Sequence, residues 1–374
     1  YFWDRAQRYY RDFPHFLNTF FPDGKPVTPG SRRFLKDHAE SLRKIAESKG
    51  RAFYEGELAE RMVEDAQRHD FPLALDDLSS HRPDWVNPIK MDFEDAQLFE
   101  IPPNGQGLMA LIALGLLKHL NIKQHPLDSA SSIHLQVEAV RYAWQQVAMH
   151  LSDPATMRLS VDDLLAPGAL EQATMAIDPS RAQPLPSPMS ASPDTVYLTT
   201  ADRSGMMVSF IQSNFRGFGS GVVVPGTGIS LQNRASGFLT DISHPNGIGP
   251  GKRPFHTIIP GFAFRQGEPF MSFGVMGGHM QAQGHVQMMI RIIGHGQNPQ
   301  AASDAPRWHL TESGALALES GFDTNTVEQL RALGHDILLN QPEHLFGGAQ
   351  LIARHDTGYC AASDHRKEGI AAGF

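Results

Sequence analysis

Pro179, Pro184, Pro186, Pro188 and Pro193 crowd the stretch that precedes a run of β-branched and aromatic residues at 195–201. Proline fixes φ and lacks a backbone donor, so neither helix nor central strand is available just before Thr195. The end of that stretch, roughly fifteen residues, reads as an exposed, mobile connection in which a break would cost the fold little. The run at 195–201, the turn signal Asp202-Arg203-Ser204-Gly205 and the apolar run at 206–211 predict a β-hairpin. With a two-residue loop at Arg203-Ser204, Thr195 is expected opposite Gln212 and beside Ser213.

A threonine at this junction has a definite chemical use. Its hydroxyl is a poor nucleophile at neutral pH, but a peptide break between Asp194 and Thr195 would give the same residue a free α-amine of pKa near ~8, suited to a general base. Ser213 would then orient the hydroxyl. The plainer alternative is a β-branched strand residue behind an ordinary linker.

Further strings narrow the choice. Phe218-Gly219-Ser220-Gly221, Pro225-Gly226-Thr227-Gly228, Gly251-Lys252-Arg253-Pro254 and Gly274-Val275-Met276-Gly277-Gly278 follow in order. Ile101-Pro102-Pro103-Asn104-Gly105-Gln106-Gly107 precedes them and Ala361-Ala362-Ser363-Asp364 closes the chain. In this order they resemble the γ-glutamyltransferase family, N-terminal-nucleophile hydrolases made as one chain that cuts itself in two. The resemblance implies a four-layer αββα sandwich, a large subunit at 1–194 lacking its N-terminal part, and a small subunit at 195–374. It also implies cleavage between Asp194 and Thr195, Thr195 as nucleophile, Ser213 as neighbouring hydroxyl, and Gly277 and Gly278 as oxyanion donors. In the family the missing N-terminal piece carries an arginine for the substrate carboxylate.

Substrate recognition departs from the transferases. Where the family places an asparagine and an acidic residue for the glutamyl amino and carboxylate groups, this chain has Phe215 and Gly237. An ammonium left desolvated without a partner costs roughly several kcal/mol, which weakens a γ-glutamyl reading. Phe255-His256-Thr257 replaces the family's serine pair, and His256, Thr257 and Arg234 are expected to take up a substrate anion. Read alone, Phe215 is as readily core, Arg234 a surface residue and His256 a satisfied buried histidine. The strings at 208–215 and 276–281 look most like the subfamily of oxamate amidohydrolase and proteins labelled cephalosporin acylases, so oxamate is the favoured substrate. A γ-glutamyltransferase or glutathione hydrolase, and a non-catalytic anion binder, remain as alternatives.

Composition excludes other classes. The formal charge of -8 and the absence of a lysine or arginine run argue against nucleic acid. The single cysteine, Cys360, permits no intrachain disulfide and reads as a small buried residue, while the 18 histidines show no ligand spacing. No metal and no cofactor are expected, no apolar run is long enough to span a membrane, and the subfamily likeness favours the cytoplasm. The expected partners are a small substrate and the two cleavage fragments as a heterodimer, with a dimer of these left open.

Periodicity gives an α+β class with a mostly helical first half. Phe34, His38, Leu42 and Ile45 recur at helical spacing, and 53–66 continues as a second amphipathic run. Residues 76–81 suggest a short helix and turn, 85–101 partial strand, 105–120 an apolar helix, and 133–151 a helix burying Val137, Val140 and Trp144. Asp162-Asp163-Leu164-Leu165 reads as another short helix. After Thr195 strands dominate, among them 270–275. Helices are expected at 284–293 and 325–333, the latter capped by Asn325-Thr326-Val327-Glu328.

Overall fold

The computed structural model describes residues 2–25, 27–183 and 195–374. The chain divides into two compact units, residues 1–85 with 214–233, and 86–213 with 234–374. Position 195, where the subunit boundary is expected, falls inside the second unit.

The first unit is helical, with Phe2–Tyr9, Pro14–Phe20, Lys36–Glu47 and Glu57–Arg68 as its longer elements. Its core is aromatic: Trp3, Tyr10, Phe16 and Phe20 close around Phe218, and the Tyr10 hydroxyl donates to Gly219 O at 2.9 Å. Two expectations fail here. The run at 53–66 breaks at Gly56, which is extended between two helices. Phe34 and Leu42, read as a core stripe, are 80% and 63% exposed. The Lys36–Glu47 helix instead turns Ser41 inward, because that hydroxyl donates to the buried Thr227 carbonyl at 2.7 Å.

The second unit is a mixed α/β body. Its strands are β1 (Ile89–Phe93), β2 (Ala96–Glu100), β3 (Val196–Ala201), β4 (Met207–Gln212), β5 (Gly261–Arg265), β6 (Glu268–Met276), β7 (Trp308–Leu310), β8 (Leu316–Leu318), β9 (Ile337–Leu338), β10 (Gly348–His355) and β11 (Gly358–Ser363). An antiparallel sheet runs β1-β2-β5-β6-β10-β11, and β7-β8-β9 form a small second sheet. The helices Gly107–His119 and Met280–Met289 cover one face of the large sheet, and Ala130–His150 packs against them. The first of these is apolar on every side and buried from Gly107 to Leu117, as a helix inside a core must be.

The β3–β4 hairpin lies on the opposite face, over β6 and β10. Strand periodicity explains the sidedness: Phe273 and Val275 of β6 meet His285 and Gly284 on the helix side. Ser272 and Gly274 point the other way, to Thr199 and Tyr197. The outer face of the hairpin, Val196, Leu198, Val208 and Phe210, is exposed.

Other boundaries moved by a few residues. Met280–Met289 starts earlier than expected because the turn at Gly277-Gly278 feeds straight into it, and a π turn at Ile290–Gly294 ends it. In Thr324–Ala332 the cap is Asp323, whose carboxylate accepts from Asn325 N at 2.9 Å, not Asn325 itself. Val137 and Val140 are buried as expected, Trp144 only half-buried.

Candidate active site

Strand β3 pairs with β4 in the register Val196↔Gln212 through Ala201↔Met207. This corrects the expected facing of Thr195 and Gln212 by one residue. The cause is the loop: Asp202 N donates to Met206 O at 3.0 Å, so three residues, not two, cross the turn, and Gly205 takes φ +90. The Asp202 carboxylate holds this turn by accepting from Ser204 N and Ser204 Oγ at 2.8 and 2.6 Å. Continued by one step, the register sets Thr195 across from Ser213. Both are half-buried and share the inward side of the hairpin with Tyr197 and Ser209. Asp194 lies outside the described residues, as do Pro184, Pro186, Pro188 and Pro193.

That inward side is anchored next to the pair. The Tyr197 hydroxyl shares a 2.7 Å hydrogen bond with Ser209 Oγ, and Thr199 bonds Ser272. Burial pushes the Tyr197 phenol up, so it stays protonated. Its ring occupies the space a side chain at Gly274 would need.

At its far end β6 leads into Gly277 and Gly278, both buried, with φ +129 and +61. Only glycine holds this pair of angles without strain. The backbone also passes close by: a Cβ on Gly277 would lie 3.1 Å from Gly347 Cα. The carbonyls of the turn are engaged, Gly277 O by Met280 N at 3.1 Å and Gly278 O by Gln281 N at 3.2 Å.

Arg234, Thr257 and His256 come together in the same unit. Arg234 is 7% exposed and its Nη1 donates to Thr257 Oγ1 at 2.7 Å. Burial pulls its pKa down to about 10, which still leaves it charged at neutral pH. It is therefore no surface residue. His256 is different: burial, with Arg234 beside it, lowers its pKa to about 3. It is a neutral ring whose Nδ1 accepts from Ile258 N at 3.3 Å, so it offers an anion a hydrogen bond and no charge.

Phe215 belongs to the first unit, where it is 7% exposed with φ +80 and Arg216 lies over its ring. A β-carbon at positive φ is uncommon and marks a constrained position. Gly237 lies in the second unit, its carbonyl held by Asn246 Nδ2 at 2.7 Å. A Cβ there would meet Phe255 O at 2.8 Å, so an acidic side chain at 237 has no room without a backbone shift.

Gln106 has no role assigned from the sequence. Its carboxamide is fully buried, with Nε2 donating to Thr257 O at 2.5 Å and Gly278 O at 2.8 Å. A signal is present: Gln106 opens a helix apolar all round, so a polar side chain there must be buried with it. Cys360, read as a small buried residue, is half-buried on β11.

Against the expectation of no metal, His134, Glu138 and His335 are buried with donor atoms within 4.8 Å of one another. Those donors already serve the chain. His134 Nδ1 and His335 Nε2 share a 2.8 Å hydrogen bond, and His134 Nε2 meets Asp178 O at 2.8 Å. Glu138 accepts from Gln183 N at 3.1 Å and lies 3.2 Å from Arg141 Nε. The cluster fastens 178–183 to the Ala130–His150 helix, and the Arg141 charge would oppose a cation.

The family model for gamma-glutamyltranspeptidase matches residues 1–374. The chain is 36% identical over 371 residues to the oxamate amidohydrolase proenzyme of Klebsiella pneumoniae, covering 97% of this chain and 70% of that one. It is 33% identical over 372 residues to the glutathione hydrolase-like YwrD proenzyme of Bacillus subtilis, covering 96% and 70%. The crystal structure of cephalosporin acylase from Bacillus halodurans superposes with a TM-score of 0.92 at 40% identity, over 99% of this chain and 69% of that one. Among the described residues no helix is long and apolar enough to cross a membrane. With the match running the whole length of the chain and hydrolases on every side of it, this protein is a hydrolase of the gamma-glutamyltranspeptidase family.

Proposed function

We propose that the chain is a self-processing N-terminal-nucleophile amidohydrolase that hydrolyses a small carboxylate-bearing amide such as oxamate. The observation that carries the reading is the hairpin register, which aligns Thr195 with Ser213 on the side packed over β6, the strand that ends in Gly277-Gly278. In maturation the Thr195 hydroxyl attacks the Asp194 carbonyl carbon, the peptide nitrogen leaves as the Thr195 amine, and water hydrolyses the resulting ester. This gives fragments 1–194 and 195–374 held as a heterodimer, in keeping with the proenzyme names of the relatives.

In turnover Thr195 Oγ1 attacks the substrate amide carbon and its proton passes to the α-amine. The N–H groups of Gly277 and Gly278 stabilise the oxyanion, each worth ~3 kcal/mol in the transition state. The C–N bond breaks, ammonia leaves with the proton from the amine, and water repeats the sequence on the ester to release the acid. Ser213 orients Oγ1, while Arg234, Thr257 and neutral His256 receive the carboxylate. We also retain the four-layer αββα sandwich, supported by the exposed apolar outer face of the hairpin, which suits a further layer.

The family's other substrate class fits less well. An acidic residue for a glutamyl ammonium has no space at Gly237. Steady-state kinetics on matured protein with oxamate and γ-glutamyl-p-nitroanilide test the choice: kcat/KM should favour oxamate, and a preference for the γ-glutamyl compound would overturn the substrate while leaving the Thr195 chemistry standing.

A further inference from the structure

The motif at 101–107 has no part in the chemistry above, yet it is stitched into the site on both sides. Asn104 O accepts from His256 N and Gln106 N donates to His256 O, each at 2.9 Å, so 104–106 runs beside 256 like a short parallel strand. Asn104 Nδ2 donates to Pro254 O. The Gln106 side chain then leaves this pairing and crosses to Gly278.

Gln106 stands at the N-cap of Gly107–His119 but makes no cap hydrogen bond with its side chain. Both neighbours of its amide nitrogen are carbonyl oxygens, so only the NH2 group fits there and the orientation of the amide is decided by chemistry. One nitrogen therefore ties the peptide of Thr257, whose hydroxyl accepts from Arg234, to the peptide of Gly278. The anion-binding end and the oxyanion end are held at one fixed separation by a single buried group.

We infer that Gln106 is a positioning residue that sets this separation and so selects amides whose carboxylate is directly joined to the scissile carbonyl. The inference rests on the proposed function. A substrate with carbon atoms between carboxylate and amide would need the two ends further apart, and loosening the tie should favour it relative to oxamate.

The test compares the full, matured chain with Gln106→Met, which keeps the volume but donates nothing, on oxamate and on succinamate. The oxamate-to-succinamate ratio of kcat/KM should fall at least tenfold, mainly through kcat on oxamate. A packing role would lower both substrates alike. Gln106→Glu guards against misfolding: its buried carboxyl, kept protonated between carbonyls, donates one hydrogen bond, and should give a ratio between parent and Gln106→Met. A ratio unchanged in both variants, with the parent active, would overturn the role of Gln106 alone. A parent that hydrolyses neither amide would overturn the underlying reading and this inference with it.

Discussion

Two buried arginines of the second unit live in contrasting surroundings. Arg307 pairs with Asp364 at 2.6 Å, and Asp364 bonds Arg366, which in turn bonds Glu319. Arg234 donates to a neutral hydroxyl, that of Thr257. The electrostatics follow: burial alone would raise the Asp364 carboxyl, but Arg307 and Arg366 hold it below the usual carboxylate range. Burial dominates at Arg234 and lowers its pKa. The first cluster uses charge to close the fold, tying 303–307 to Asp364 just past β11; the second holds charge beside the proposed reaction site. Burial lowers the pKa of Arg307 as it does that of Arg234, so burial does not separate the two; what does is the carboxylate of Asp364 beside Arg307 and the place of Arg234 next to Thr257 and His256.

The largest expected effect is in the closed cluster. Asp364→Asn leaves Arg307 buried without its counter-charge and should cost about 3–5 kcal/mol in urea unfolding. Acid should weaken the parent at the same place. The Asp364 pKa is depressed in the folded state, so its contribution is present above the ordinary carboxylate pKa and is lost as pH falls through the folded value. Unfolding midpoints measured downward from about pH 5 should fall in the parent more steeply than in Asp364→Asn.

Arg234→Met should show the opposite balance. Folding stability should fall less than in Asp364→Asn, while kcat/KM on oxamate should fall roughly 100-fold, about 3 kcal/mol. A loss of stability like that of Asp364→Asn with unchanged kinetics would place Arg234 with the structural cluster. Ser213→Ala is the smaller catalytic change: turnover should fall roughly 10- to 1000-fold, ~1–4 kcal/mol, with the fold intact. Unchanged turnover in folded protein would remove Ser213 from the site.

The strands of the hairpin were legible because β-branched residues and a turn signal leave few alternatives, and the glycine pair at 277–278 stood out as a sequence feature. The register was not. Asp202-Arg203-Ser204-Gly205 fits a two- or a three-residue loop, and the left-handed Gly205 decides between them only in the folded chain. The cap at 323–326 was ambiguous for a similar reason: Asp323, Thr324, Asn325 and Thr326 are all good cap residues, and backbone angles select one. Phe34 and Leu42 had the right spacing for a core stripe, but the hydrogen bond of Ser41 to Thr227, far away in sequence, turned the helix. The link through Gln106 joins three distant segments, and no local pattern records such a contact.

The central claim is that Thr195 makes its own amino terminus. Intact mass and N-terminal sequencing of the purified full-length chain should give a small fragment beginning at Thr195, and Thr195→Ala should give one uncut chain. A fragment beginning at residue 195 in the Thr195→Ala protein, or a fully active parent that remains uncut, would contradict the account.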